Sequence, residues 1–228
     1  MGILRRKPGK PRTKAKIERD SRQLRRLEVF TDVVFALVFF RIFMILPSLG
    51  NVGSGARISI GQFLSENLGG VEIIFIGVLL VLIYWSNTIK AFGNLDHTDG
   101  KHASISFMQL FFLLIYLYFV RMELVFQGDP LPLLLQSVTL ALVGFLGVGA
   151  WSYAFRDRRL ISESITDKEA ARLRIEFLNE PVTALITIPF VWVGTTAWTL
   201  AWLSGLLISR ILNWWHNRKE WPEPETTE

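Results

Sequence analysis

One stretch limits what this chain can become: Arg26-Leu-Glu-Val-Phe30-Thr31-Asp32-Val33-Val-Phe35-Ala36-Leu37-Val-Phe-Phe-Arg41-Ile-Phe-Met44-Ile45-Leu46. It is long enough to cross a bilayer as a single helix, which takes roughly 20 mostly apolar residues. It nevertheless carries Asp32 near its beginning and Arg41 past its midpoint. A charge at the centre of a membrane helix costs ~2.5–3.5 kcal/mol on insertion scales, so a helix that served only as an anchor would have no use for either. Both charges point to function by default, Asp32 also reads as a structural ion pair that orients the helix end, and the rest of the chain reads as the bundle that shelters this helix from lipid.

Composition agrees with a membrane bundle. Half of the 228 residues are hydrophobic and the mean hydropathy is positive, more apolar than an ordinary soluble domain. Eight Trp and seventeen Phe suit a lipid-facing surface and its interfaces. The absence of cysteine excludes disulfides, thiolate metal sites and a Cys nucleophile. The net charge of +5 does not point to nucleic acid, because the basic residues cluster at the ends of apolar segments, as membrane topology requires. The first apolar stretch is too long for the core of a signal peptide, so it is expected to remain as an uncleaved anchor.

Residues 1–25 form a basic arm with Arg5, Arg6, Lys7, Lys10, Arg12, Lys14, Lys16, Arg19, Arg22 and Arg25. Pro8 and Pro11 keep its beginning extended, and 15–26 is expected to run as a helix into the first span. Such an arm belongs on the cytosolic side and touches anionic lipid there, each charge worth about 1 kcal/mol near the surface.

The spans are then expected at 27–46, 71–92, 104–126 and 131–155, with a short interfacial helix over 58–68. The Gly- and Ser-rich segment from Pro47 to Gly55 and the Gln127-Gly-Asp-Pro130 turn link them on one side. Thr166-Asp167-Lys-Glu169 reads as a helix start. Region 177–213 contains Pro181 and Pro189 and admits either one long helix or two broken near Val193-Gly194-Thr195-Thr196. Charge decides for two. With six spans, Arg57 is the only Lys or Arg outside the cytosol; with five, Arg210, Arg218 and Lys219 join it there, against the positive-inside bias. Both termini are therefore expected in the cytosol, and the tail from Glu220 is expected to be disordered. There is no internal repeat, so a central pathway would need several copies of the chain.

On the first helix Val33, Leu37, Arg41 and either Met44 or Ile45 recur every three to four residues and share a stripe. If the stripe faces an axis, Leu37 makes an apolar ring able to gate by dewetting. Arg41 needs a partner or a water-filled cavity, and Glu72 and Glu123 are the candidate acids. Asp96-His97-Thr-Asp99-Gly-Lys-His102 offers ligand types in a short loop without rigid spacing, and no metal site is expected there. His216 reads as a solvated residue near the membrane. No phosphate-cradling Gly-rich loop, zinc-protease pair or nucleophile elbow occurs, so the chain is not expected to be an enzyme, and no cofactor is expected.

The Arg26…Phe30-Thr31-Asp32 motif with Val34-Phe35-Ala36 resembles the prokaryotic branch of the transmembrane protein 175 family, the endolysosomal-type potassium channels, with Thr31 standing for that family's Ser. Tyr84-Trp85-Ser-Asn87 late in the second span is similar to the family's Tyr-Trp-x-Asn-His-His. The resemblance implies an all-α homotetramer of six-span protomers in the cell membrane, with potassium as permeant ion and the first helix lining the pore. It makes Leu37 the constriction, Val33, Arg41, Met44 and Ile45 pore-lining, and Arg26, Phe30, Thr31 and Asp32 the network that holds the pore helices. It divides the chain into the arm at 1–25, a channel domain at 26–214 and a flexible cytosolic tail at 215–228.

Two positions depart from the pattern. Thr88 and Ile89 replace the histidines, and Arg41 stands where the family has an apolar or small polar residue. Unit charges 10 Å apart at an effective dielectric of 20 repel by ~1.7 kcal/mol, so a ring of Arg41 would favour anions or bar cations unless neutralised. A channel-like relative with altered (anion) selectivity or no conduction, and a secondary transporter broken at Gly194, are the alternative readings.

Overall fold

The computed structural model describes residues 14–45, 59–126 and 128–218, with the side chains of 14–17, 63–70, 73, 216 and 217 outside the description. The extended start with Pro8 and Pro11, the 47–55 loop, Arg57, Gln127 and the tail from Glu220 lie outside the described residues, as do the side chains of His216 and of much of 58–68.

Helix α1 (Lys14–Ile45) contains neither Gly nor Pro, and Pro47 follows its end. At 1.5 Å per residue it is about 48 Å long, well beyond a ~30 Å hydrocarbon core. It passes through residues 25 and 26 without a break, so arm and first span share one rod. Helix α2 (Ile60–Gly93) is likewise continuous, opened by a capping box in which Ser59 and Gln62 exchange bonds of 3.2 Å. The separate interfacial helix expected over 58–68 is instead the first turns of α2. Gly69-Gly70 does not break it, because an α-helix propagates through isolated weak formers once both sides are helical.

Helices α3 (Gly100–Val125) and α4 (Pro130–Phe155) form an antiparallel hairpin. Asp99 caps α3 through the His102 N–H at 2.9 Å, and Asp129 caps α4 through the Leu131 N–H at 2.9 Å. Between them Gly128 takes φ 89°, a left-handed value that suits glycine. The main part of α2, together with α3 and α4, are three helices long and apolar enough to cross a membrane. Helix α4 sits innermost, packed by α3 on one side and by the C-terminal helices on another.

After a short 3-10 turn (Arg156–Arg158), Leu160 and Ile161 tuck under the bundle. The Asp96 N–H donates to the Leu160 carbonyl at 3.0 Å and the Ser162 N–H to the Asn94 carbonyl at 2.9 Å, which ties the two loops of this end together. Leu24 and Leu27 of α1 join the same apolar cluster. This end carries Lys101, Arg156, Arg158 and Arg159, whereas the α3–α4 turn at the other end has neither Lys nor Arg. Helix α5 (Asp167–Glu176) opens with the Thr166–Glu169 capping box legible in the sequence, and the Trp151 indole donates to the Ala170 carbonyl at 2.9 Å to hold it.

The 177–213 region is broken where charge required. Helix α6 (Asn179–Thr187) runs into a 3-10 turn (Ile188–Trp192) at Pro189, and the chain reverses at Gly194 with φ 133°. Helices α7 (Thr195–Ala201) and α8 (Ser204–Asn217) follow. Helix α8 continues through 214 and 215, so the described part of the tail begins as helix.

Candidate functional site

The site is built on two faces of α1. One face buries Leu24, Leu27, Thr31, Val34, Phe35, Val38 and Ile42 against the bundle. The opposite face leaves Val33, Leu37 and Met44 exposed at 51%, 58% and 62%, with Arg41 exposed among them. The periodicity read from sequence is therefore the real division of the helix. It also separates the two candidates at its end, because Met44 lies on the open face and Ile45 packs toward the core.

Arg41 forms no ion pair among the described residues, so within one protomer the structure does not bring it to Glu72 or Glu123. Glu123 is 1% exposed and faces α7, where its Oε1 accepts a 3.4 Å bond from the Thr195 hydroxyl. Gly194 decides this: the reversal there carries Thr195 over the end of α3, and the acid turns inward.

Two residues of the motif touch neighbouring helices. The Trp85 indole Nε1 donates to Asp32 Oδ1 at 3.2 Å, joining α2 to α1. Trp85 also stands edge-on to Phe39, with ring centroids 6.4 Å apart. Phe30 packs edge-to-face on Phe107 of α3 at 5.2 Å. Thr31 is 3% exposed between these contacts. Arg26 does not close on Asp32; it lies exposed on the open side of α1. Glu28, Thr31, Asp32, Trp85, Thr88 and Ile89 line a cleft of about 210 Å³ beside the network. Thr88 turns its hydroxyl back to the Tyr84 carbonyl at 2.8 Å, so it satisfies itself within α2.

Tyr84, Trp85 and Asn87 point in three directions from one turn of α2. The Tyr84 hydroxyl donates to the Leu140 carbonyl of α4 at 2.8 Å, Trp85 reaches α1, and Asn87 meets the Glu180 carboxyl of α6. Glu180 was missed in the sequence. It is 8% exposed, and Asn179 lies beside it as well. An acid inside an apolar segment was the available signal, masked by the helix-breaking reading of Pro181 next to it.

The Asp96–His102 loop is accounted for by capping. Asp99 also accepts from the Tyr153 hydroxyl at 2.7 Å, and His102 Nδ1 pairs with the Thr98 hydroxyl at 2.9 Å. Partial burial pushes the Asp99 carboxyl up, but the bonds from the His102 N–H and the Tyr153 hydroxyl outweigh it and hold the group below its ordinary 3.8. Among the described residues no group of three or more acids or histidines is placed to hold a metal.

No family model matches this sequence, and no curated protein matches it. Among solved structures the chain is similar to the potassium channel MtTMEM175, in a crystal structure of a variant of that protein in complex with a nanobody–MBP fusion. Identity is 16%, the TM-score is 0.55, and the match covers 92% of this chain and 94% of the other. At this identity the likeness is one of fold, and it extends over nearly the whole of both chains.

Proposed function

We propose that the protein is a passive ion channel of the transmembrane protein 175 type. In this reading it is a homotetramer of six-span protomers in the cell membrane, with both termini in the cytosol and potassium as the permeant ion. Helix α1 lines the pathway, Leu37 is the constriction, and Val33, Arg41 and Met44 line the wall on either side. Trp85 and Asp32 keep α1 in register, with Arg26, Phe30 and Thr31 around them. The basic arm rests on anionic lipid, and the basic loops at its end of the bundle give the orientation by the positive-inside bias.

The observation that carries the reading is the open face of α1 in a fold shared with a potassium channel. An apolar face alone could meet lipid. Arg41 on the same face is costly in hydrocarbon unless its side chain snorkels to the outer interface beyond Ile45. A water-filled axis between copies satisfies both.

Arg41 also favours a second reading. Without an acid beside it in its own protomer, a ring of four would repel cations and leave a pathway for anions, or none. In this reading potassium conduction requires that each Arg41 be neutralised across a subunit boundary, for which the half-buried Glu72 is the candidate acid.

Ion flux in proteoliposomes tests this, with potassium, sodium and chloride gradients applied to wild type and Arg41→Leu. Potassium-selective flux in the wild type supports the first reading. Chloride flux, or silence relieved for potassium only in Arg41→Leu, establishes the second.

A further inference from the structure

The open face of α1 does not end at the membrane. At about 100° per residue, Arg22 and Arg26 lie within about 20° of Val33, and Arg19 within about 40°. The acids of the same segment lie elsewhere: Asp20, Glu28 and Asp32 point about 100° or more away, and only Glu18 flanks the stripe. The charges from 18 to 32 balance in number, four acids against four arginines; Arg19, Arg22 and Arg26 follow the open stripe, while Arg25 lies about 80° from Val33, between Glu18 and Asp32.

Arg22, Arg25 and Arg26 share a cleft of about 490 Å³ whose floor is Val29, Phe30 and Val33. None of the three takes part in an ion pair between described residues; Arg19 pairs with Asp20 instead, at 3.9 Å. One Arg22 donor, Nε, goes to the Glu18 carbonyl at 3.3 Å, which leaves its terminal nitrogens for another acceptor. Like charges at this spacing on one helix oppose each other, and the apolar floor lowers the local dielectric. Such a trio is built for an acceptor-rich anion, because guanidinium forks match phosphate oxygens in pairs.

We propose that Arg22, Arg25 and Arg26 form a binding site for a phosphate group. That the site stands at the cytosolic mouth of the pore, in line with Leu37, rests on the channel reading above; the site itself does not. The group can belong to a soluble phosphate anion or to a lipid headgroup, since both present the same oxygens.

The test uses the full-length protein in micelles of a maltoside detergent, which carries no phosphate, titrated with inorganic pyrophosphate by calorimetry. Arg22→Ala/Arg25→Ala is compared with wild type and with Lys101→Ala/Arg159→Ala, which removes equal charge from the same end. Each arginine lost should weaken binding roughly tenfold, so the first variant loses about a hundredfold and the second stays near wild type. A repeat in phosphatidylglycerol nanodiscs separates the sources: competition identifies the headgroup as the occupant, and undiminished binding identifies the soluble anion. Absent binding by the wild type, or equal weakening in the two variants, overturns the site. A protein that binds pyrophosphate through Arg22 and Arg25 but passes no ion keeps the site and loses only the channel reading.

Discussion

The indole of Trp85 and the carboxylate of Asp32 are joined by a 3.2 Å hydrogen bond across two helices, 53 positions apart in the chain. It ties the open-faced helix α1 to α2. Trp85→Phe removes the donor together with part of the ring that stands edge-on to Phe39, so it should cost at least about 1 kcal/mol. Asp32→Asn keeps an acceptor and should cost less than Asp32→Ala. Thermal unfolding of the detergent-solubilised protein reads the order, and equal midpoints for Trp85→Phe and wild type would show that the bond does not hold the helix.

Leu37 predicts a separation of function from stability. Its side chain is exposed in the protomer, so Leu37→Ala should shift stability by less than about 0.5 kcal/mol in unfolding experiments. If it forms the constriction, the same change should raise ion flux several-fold in proteoliposomes. Unchanged flux with unchanged folding would remove Leu37 from the pathway.

Two glycines of α4 give a paired test of the core. A Cβ at Gly144 would come within 2.7 Å of Pro181 Cδ, on a ring that cannot yield, while a Cβ at Gly149 would meet nothing within 4 Å. Gly144→Ala should destabilise by about 1–3 kcal/mol through overpacking of α4 on α6. Gly149→Ala should be neutral or stabilise by ~0.5–1 kcal/mol through helix propensity. Unfolding midpoints in the opposite order would mean that α6 does not pack on α4 at Pro181.

Asp99 makes the acid limb of stability depend on one cap. Its carboxyl sits below the ordinary value when folded, so its contribution is present above the unfolded pKa and is lost as pH falls through the folded one. Asp99→Asn should lower stability at neutral pH and flatten its decline in acid. Asp99→Ala should remove about 1 kcal/mol of capping at neutral pH. Unfolding midpoints measured against pH check both, and parallel acid limbs for Asp99→Asn and wild type would contradict the assignment.

Much of this architecture is written in local chemistry. The helix start at Thr166 acts over three residues, so it could be read in sequence and recurs in the structure, whereas the caps at Asp99 and Asp129 emerged only there. The break near Gly194 is likewise one of the two arrangements the sequence admitted for 177–213. The short helix expected over 58–68 failed for the converse reason: polar residues within a helix change what it meets, without ending it.

The sequence by itself determined that the chain is an all-helical membrane bundle and that Leu37 and Arg41 share one stripe of α1, while the structure showed that this stripe is the open face. Periodicity and the cost of intramembrane charge are properties of a single helix, and both are local. Tertiary structure alone decided the partners. Glu123 turned to Thr195 and away from Arg41, Arg26 went to the arginine trio in place of Asp32, and Glu180 came to Asn87. Those choices depend on how helices far apart in sequence rotate and reverse against one another, and no spacing along the chain encodes that rotation.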